Sequence, residues 1–217
     1  AWMSRPYEET PDGYSGYPVY QNFQVEEFLK TALKENMQIL VHCNGDAAAE
    51  QMIEAYRRAR NGGQNLSEIR PVMIHAQLVR KDQLDRMAES GIIASFFVAH
   101  TYYWGDIHLR NFGKERAAAI SPLRSAQERG VLFTLHQDSP VIQPNMMETV
   151  WCAVNRVTKN GVSLGPEETI SVWDALRAVT INAAYQYFEE DKKGSIKTGK
   201  IADLIILDRN PLKTDPS

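Results

Sequence analysis

Short apolar runs recur along this chain, each followed by a longer segment with helical spacing, and that alternation constrains the fold more than any other feature. The runs read as strands over Gln38 to His42, Pro71 to His75, Ile92 to Val98 and Val131 to His136. Helices are predicted over the stretch from Val25 and over the Ala-rich run after Asp46, then over Asp82 to Ser90 and Pro122 to Gly130. A polar loop is expected at Asn61 to Glu68. Strand-to-strand intervals of roughly 20 to 40 residues suit strand–helix–strand crossovers, which need a dozen or more residues and give a parallel sheet. The fold class is therefore α/β.

The ends of those runs carry the chemistry. His42, His75 and Asp138 each close or follow an apolar run, and a metal-capable side chain at a strand C-terminus faces the mouth of a parallel barrel. Imidazoles and a carboxylate suit zinc or a similar borderline ion. His136 sits two residues before Asp138 on the same predicted strand, so both side chains point the same way and His136 also lines the site. After the third strand an aromatic stretch holds His100, Tyr103, Trp104 and Asp106. It reads either as a substrate-contacting loop or as an aromatic cluster covering the end of the sheet. Asp46, just after Gly45, reads as a helix cap, and His108 reads as a surface residue.

Composition closes off other classes. The net charge is −3 and the Lys and Arg residues are scattered, which leaves no basic face for nucleic acid. The apolar runs are too short to span a bilayer, and the first residues lack the basic and apolar regions of a signal peptide. A cytoplasmic location is the expectation. Cys43 and Cys152 stand alone, with no CxxC spacing, and read as buried thiols. The tail changes character. A helix is predicted over Asp174 to Tyr187, followed by two Gly-punctuated β segments between Lys192 and Asp208.

Four stretches together resemble the amidohydrolase superfamily: His-Cys-Asn-Gly-Asp from His42, Ile-His-Ala-Gln around His75, Gln-Asp-Ser-Pro around Asp138, and Gly-Lys-Ile-Ala-Asp-Leu-Ile-Ile-Leu-Asp from Gly199. The likeness is greatest to its amidohydrolase-3 branch, which includes N-substituted formamide deformylases. The resemblance implies a (β/α)8 metallohydrolase barrel flanked by a small β-sandwich. It further implies that this chain is the C-terminal half, strands five to eight over residues 1–190, with the start of the sandwich over 191–217.

Carried over residue by residue, the resemblance makes His42 and His75 metal ligands, and Asp138 both a ligand and the general base. The resemblance also implies a polar substrate contact near His100, with Tyr103, Trp104 and Asp106 in the same stretch. At His136 it implies a small residue, so His136 as a substrate contact rests on its place beside Asp138. The implied cofactor is a divalent metal such as zinc, one or two ions in the parent enzyme. The implied reaction is hydrolysis of an amide, N-formyl or related C–N bond of a small molecule by metal-activated water. The family's first-strand His-x-His pair and fourth-strand bridging residue would precede Ala1, so the fragment alone is expected to be inactive. Two non-catalytic readings stand beside this one: a self-associating half-barrel, and a small-molecule binding module. A half-sheet exposes edges and an apolar face, so homo-oligomers or pairing with the missing N-terminal half are expected.

Overall fold

The computed structural model describes residues 1–60 and 69–215, so the polar loop expected at Asn61 to Glu68 lies outside the described residues. Its centre is a sheet of four parallel strands: β1 (Leu40–Cys43), β2 (Val72–His75), β3 (Ile93–Phe96) and β4 (Phe133–Leu135). They lie side by side in chain order, β1-β2-β3-β4, the order expected when every crossover returns to the next position in one direction. All four expected strands form, each shorter than its apolar run.

Register sorts the strand residues into two faces. Cys43, Met73, Ala94, Phe96, Phe133 and Leu135 belong to the main hydrophobic core. That core is closed by α1 (Asn22–Lys34), α2 (Asp46–Arg60), α3 (Lys81–Ser90) and α6 (Leu123–Glu128). In α1 the buried residues Val25, Leu29, Ala32 and Leu33 recur at helical spacing, which is why that segment folds as a helix with one face on the core. The other face is a row in which Leu40 pairs with Val72 and Val72 with Ile93, and the next row runs His42, Ile74, Ser95 and Thr134. Thr134 donates to the Gln186 side chain from α9 (Ile181–Gln186), and Gln38 donates to the Gln186 carbonyl.

Local chemistry sets the turns. Gly91 ends α3 in the left-handed region at φ 68°, with its N–H returned to the carbonyls of Met87 and Ala88. Gly45 is needed for a different reason: a Cβ there would come within 1.8 Å of the Trp2 carbonyl oxygen. The N-terminal segment crosses at that point.

Several expectations are corrected. Asp46 is not spent as a cap. It begins α2, and its carboxylate accepts from the Ser4 N–H at 2.8 Å, from the Ser4 hydroxyl, and from Arg80 at 3.0 Å. Arg80 also reaches Glu50, so Asp46 anchors an ionic network between α2 and the start of α3. The aromatic stretch after β3 is helical, forming α4 (His100–Tyr103) and then α5 (Gly105–Ala118). The single helix expected over Asp174 to Tyr187 is two, α8 (Val172–Ala178) and α9. They break at Thr180 (φ −125°, ψ −92°), whose hydroxyl donates to the Leu176 carbonyl. A mid-helix Thr side chain that bonds back to the preceding turn competes with the helix.

The tail departs further. Residues 201–207 form no strand and are exposed, Ile206 fully. A β segment exists only through a ladder partner, and none is present for this run among the described residues. Cys43 and Cys152 are free and buried, as read from the sequence.

Candidate metal centre

The site lies at the C-terminal ends of the strands. Chain crossovers deliver His42 from β1, His75 from β2, and His136 with Asp138 from just beyond β4, while α4 and α5 deliver His100 and His108. All five histidines of the sequence join one cluster. The His75 ring is the hub. Ring centroids lie 4.5 Å from His42, 5.0 Å from His136 and 6.4 Å from His100, and His100 lies 5.3 Å from His108.

Three of these residues present ligand atoms within 4.8 Å of one another: His75, His136 and Asp138. His75 Nε2 stands 3.9 Å from an Asp138 carboxylate oxygen. His75 is buried, while the Asp138 side chain is exposed and reachable from solvent. Ser95 on β3 holds His136 through Nδ1 at 3.0 Å, which leaves Nε2 buried and without a hydrogen-bond partner among the described residues. An imidazole fixed through one nitrogen with the other bare and buried is the arrangement of a metal-ligating histidine. His75 Nδ1 is likewise buried without a partner. The unpartnered His136 Nε2, with His75 and the Asp138 carboxylate in the same tight group, fits a divalent metal ion.

The backbone at these residues is unusual. His75, Ala76 and Asp138 have φ of 71°, 46° and 52°. A non-glycine residue in the left-handed region costs on the order of 1–3 kcal/mol, and such strain persists where surrounding structure holds the residue in place. Here it turns the His75 side chain out of strand alternation at the strand end.

Burial also sets protonation. Desolvation lowers the His75 pKa, the neighbouring His42 adds to the fall, and Asp138 opposes it. His136 is pushed down to about 4, first by burial and then by His75. Burial takes His108 to about 4; burial, followed by His108, His75 and His136, takes His100 to about 3. These four rings are therefore neutral near pH 7, the form in which an imidazole ligates metal.

The remaining sequence candidates divide. His42 sits beside His75 but is exposed on the edge strand, and it falls outside the tight three-residue group. His136, read as a lining residue, falls inside it. Trp104 packs on His100 at 4.6 Å between ring centroids, forming a wall with Phe97, which is 4.7 Å from His100. The Tyr103 hydroxyl donates a hydrogen bond to the Glu148 carboxylate, and Asp106 accepts from the Thr158 hydroxyl at 2.9 Å, so the polar atoms of both are spent away from the histidines.

His108, read as a surface residue, is a correction. Its Nε2 lies 3.1 Å from His100 Nδ1 and 3.3 Å from the Gln77 amide nitrogen, and its ring stacks on Phe112. Sequence reasoning passed over Gln77 and Ser95 as well. A polar residue inside the apolar run Ala76–Val79 was the available signal for Gln77; Ser95 offered none.

The model of the amidohydrolase family matches residues 1–217. The chain belongs to the amidohydrolase family. It is 29% identical over 216 residues to N-substituted formamide deformylase of Arthrobacter pascens, covering 98% of this chain and 40% of that protein. It is 32% identical over 208 residues to Protein LONG AFTER FAR-RED 3 of Arabidopsis thaliana, covering 94% of this chain and 35% of that one. Among solved structures, an uncharacterized metal-dependent hydrolase from Pyrococcus furiosus superposes with a TM-score of 0.82 at 28% identity, over 98% of this chain and 42% of that chain. This amidohydrolase-family chain thus spans about 40% of the length of the curated relatives it matches. Among the described residues no helix is long and apolar enough to cross a membrane.

Proposed function

We propose that this chain is the segment of a metal-dependent amidohydrolase that carries the fifth to eighth strands of a (β/α)8 barrel, and that the whole enzyme hydrolyses an amide, N-formyl or related C–N bond. The observation that carries this reading is the convergence of His75, His136 and Asp138 within 4.8 Å at the strand C-termini. The sequential parallel order of the four strands and the likeness to N-substituted formamide deformylase support it.

In this reading His75, His136 and Asp138 hold a divalent ion such as zinc, with His42 beside them. Such an ion supplies Lewis acidity to the scissile carbonyl and to the attacking water. The chain's own residues do the rest. The exposed Asp138 carboxylate takes the water proton and returns it to the departing amine. Ser95 keeps the His136 ring turned so that Nε2 faces inward. Phe97 and Trp104 wall the site against water on the His100 side. The segment alone is expected to bind metal and to lack turnover, because ligands on the preceding strands complete the family's centre.

Zinc content per chain, read by plasma mass spectrometry on protein purified without chelators, tests the assignment. About one ion per chain, lost in both His75→Ala and His136→Ala, is the expected result. Zinc retained in both variants would sink the site.

A second reading concerns assembly. β1 is a sheet edge, and beside it a groove of about 740 Å³ is lined by Tyr17, Tyr20, Phe28, Leu40, Val41 and His42. Tyr17 is 72% and Leu40 42% exposed, so the edge offers unpaired backbone together with apolar surface. We propose that this edge takes a further strand in the whole enzyme and drives self-association of the isolated segment. Light scattering reads it directly: a strictly monomeric species at all concentrations would exclude self-association.

A further inference from the structure

Two apolar parts of the described chain have backbone without a ladder partner: the open side of β1 and residues 204–207 of the tail. The Ile39 carbonyl accepts the Val72 N–H at 3.0 Å. Alternation in the parallel ladder therefore turns the backbone groups of Leu40 and His42 away from β2, toward the open side. This edge is recessed. It forms one side of the groove shared with Tyr17, Tyr20 and Phe28, and no Lys, Arg, Asp or Glu side chain lines that groove. Pairing β1 with β1 of a second copy would bring two sets of those aromatic walls together, whereas a single unbacked strand fits between them.

The tail is such a strand. Leu204, Ile205 and Ile206 are 65%, 78% and 100% exposed, so neither face is backed by the body. Among the described residues the backbone of residues 204–207 has no hydrogen-bond partner. The root of the tail is fixed: the Ile201 N–H donates to the Lys192 carbonyl at 2.8 Å, and Lys200 Nζ to the Ser195 hydroxyl at 2.7 Å. The apolar run lies between Asp203 and Asp208 and matches the four residues of β1 in length. The aspartates thus stay outside the uncharged groove while the apolar residues fill it.

We propose that residues 204–207 of one copy add as a strand to the β1 edge of a second copy. This names the occupant of the edge in the isolated segment, and it rests on the self-association reading above. The contact is heterologous: a singly joined pair still carries one free edge and one free tail, which close on each other or take a further copy. One added strand buries less than the roughly 1,200 Å² of a standard interface, so the association depends on concentration.

The test mixes two variants of the whole chain and follows mass by light scattering over a range of concentrations. Leu40→Pro removes an edge N–H that the β2 ladder does not use. Leu40→Lys, which keeps the backbone and puts a charge in the groove, repeats the measurement should the proline variant fail to fold. The double variant Ile205→Pro/Ile206→Pro removes a pairing N–H in either register, and its thermal melting is expected to match the parent because both residues are exposed. Each variant alone is expected to stay monomeric while the parent grows with concentration. An equimolar mixture is expected to form a dimer and stop there.

A mixture that stays monomeric overturns the proposal. So does self-association of the tail variant alone, which leaves the edge reading standing. A strictly monomeric parent overturns both. Amide exchange gives a second readout: the Leu40 and His42 N–H groups of the parent are expected to slow at least several-fold at high concentration, and those of the tail variant are not. Equal exchange in the two proteins overturns the pairing.

Discussion

Strands β1 and β2 start from nearly the same pattern, an apolar run closed by a histidine, and end in opposite environments. β2 lies between two neighbours: Val72 is fully buried and His75 is 3% exposed. β1 has one neighbour: Leu40, directly paired with Val72, is 42% exposed, and His42 is exposed. The lesson is that burial belongs to sheet position rather than to the residue pattern. The same side chain is desolvated in the centre and hydrated at the edge.

The sharpest way to break the comparison is to place the same charge on both members of one cross-strand pair. Val72→Asp is expected to destabilise by at least about 4 kcal/mol, because it buries an unpaired carboxylate. Leu40→Asp, its partner across the ladder, is expected to cost about 1 kcal/mol or less. Urea unfolding of the two variants compares them; similar midpoints would show that β1 is covered in solution.

Next in size is the metal response. His75→Ala is expected to weaken zinc binding on the order of 100-fold or more and His42→Ala about tenfold, as read by competition with a chromogenic chelator. Equal losses would place His42 in the same shell as His75.

The pH response follows from the cluster. A histidine held neutral in the fold protonates more readily when unfolded, so its contribution is complete above about pH 6.5 and is lost as pH falls toward the folded value. His136 and His108 are pushed down to about 4 and His100 to about 3. Stability is therefore expected to decline from pH 6.5 to about 4. His108→Phe is expected to flatten that decline by up to one proton. Glu50 acts separately: chiefly through Arg86, its pKa is lowered to about 2, so its contribution is lost only as pH falls below about 4.5. Thermal melts across this range distinguish the two windows.

The smallest expected effect is on the fold itself. His42→Ala should change stability by under about 0.5 kcal/mol, since the side chain is exposed on an edge. A larger loss in calorimetry would mean that the histidine is packed.

Much of this was legible beforehand because it is local or periodic. The strands at His42 and His75 follow from apolar runs bounded by turn residues, and their parallel pairing follows from the lengths between them. The candidate residues His75 and Asp138 were visible as metal-capable side chains at strand ends. His136 was visible only as a neighbour of Asp138, because strand alternation says which side a residue faces and not how near another strand's histidine stands. His108 was misread because a histidine on a helix looks amphipathic and exposed until the helix is docked. The β segments expected after Lys192 show the converse error, since strand-like composition cannot supply a ladder partner.

By itself, then, the sequence determined the alternation of strands and helices, the α/β class, and the residue types able to bind metal, since these depend on neighbours within one turn or one strand. Tertiary structure alone decided which histidines are desolvated, which nitrogens are left bare, and which strand is the edge. Those properties arise where segments distant in the chain exclude water from one another, as at His75 between His42 and His136.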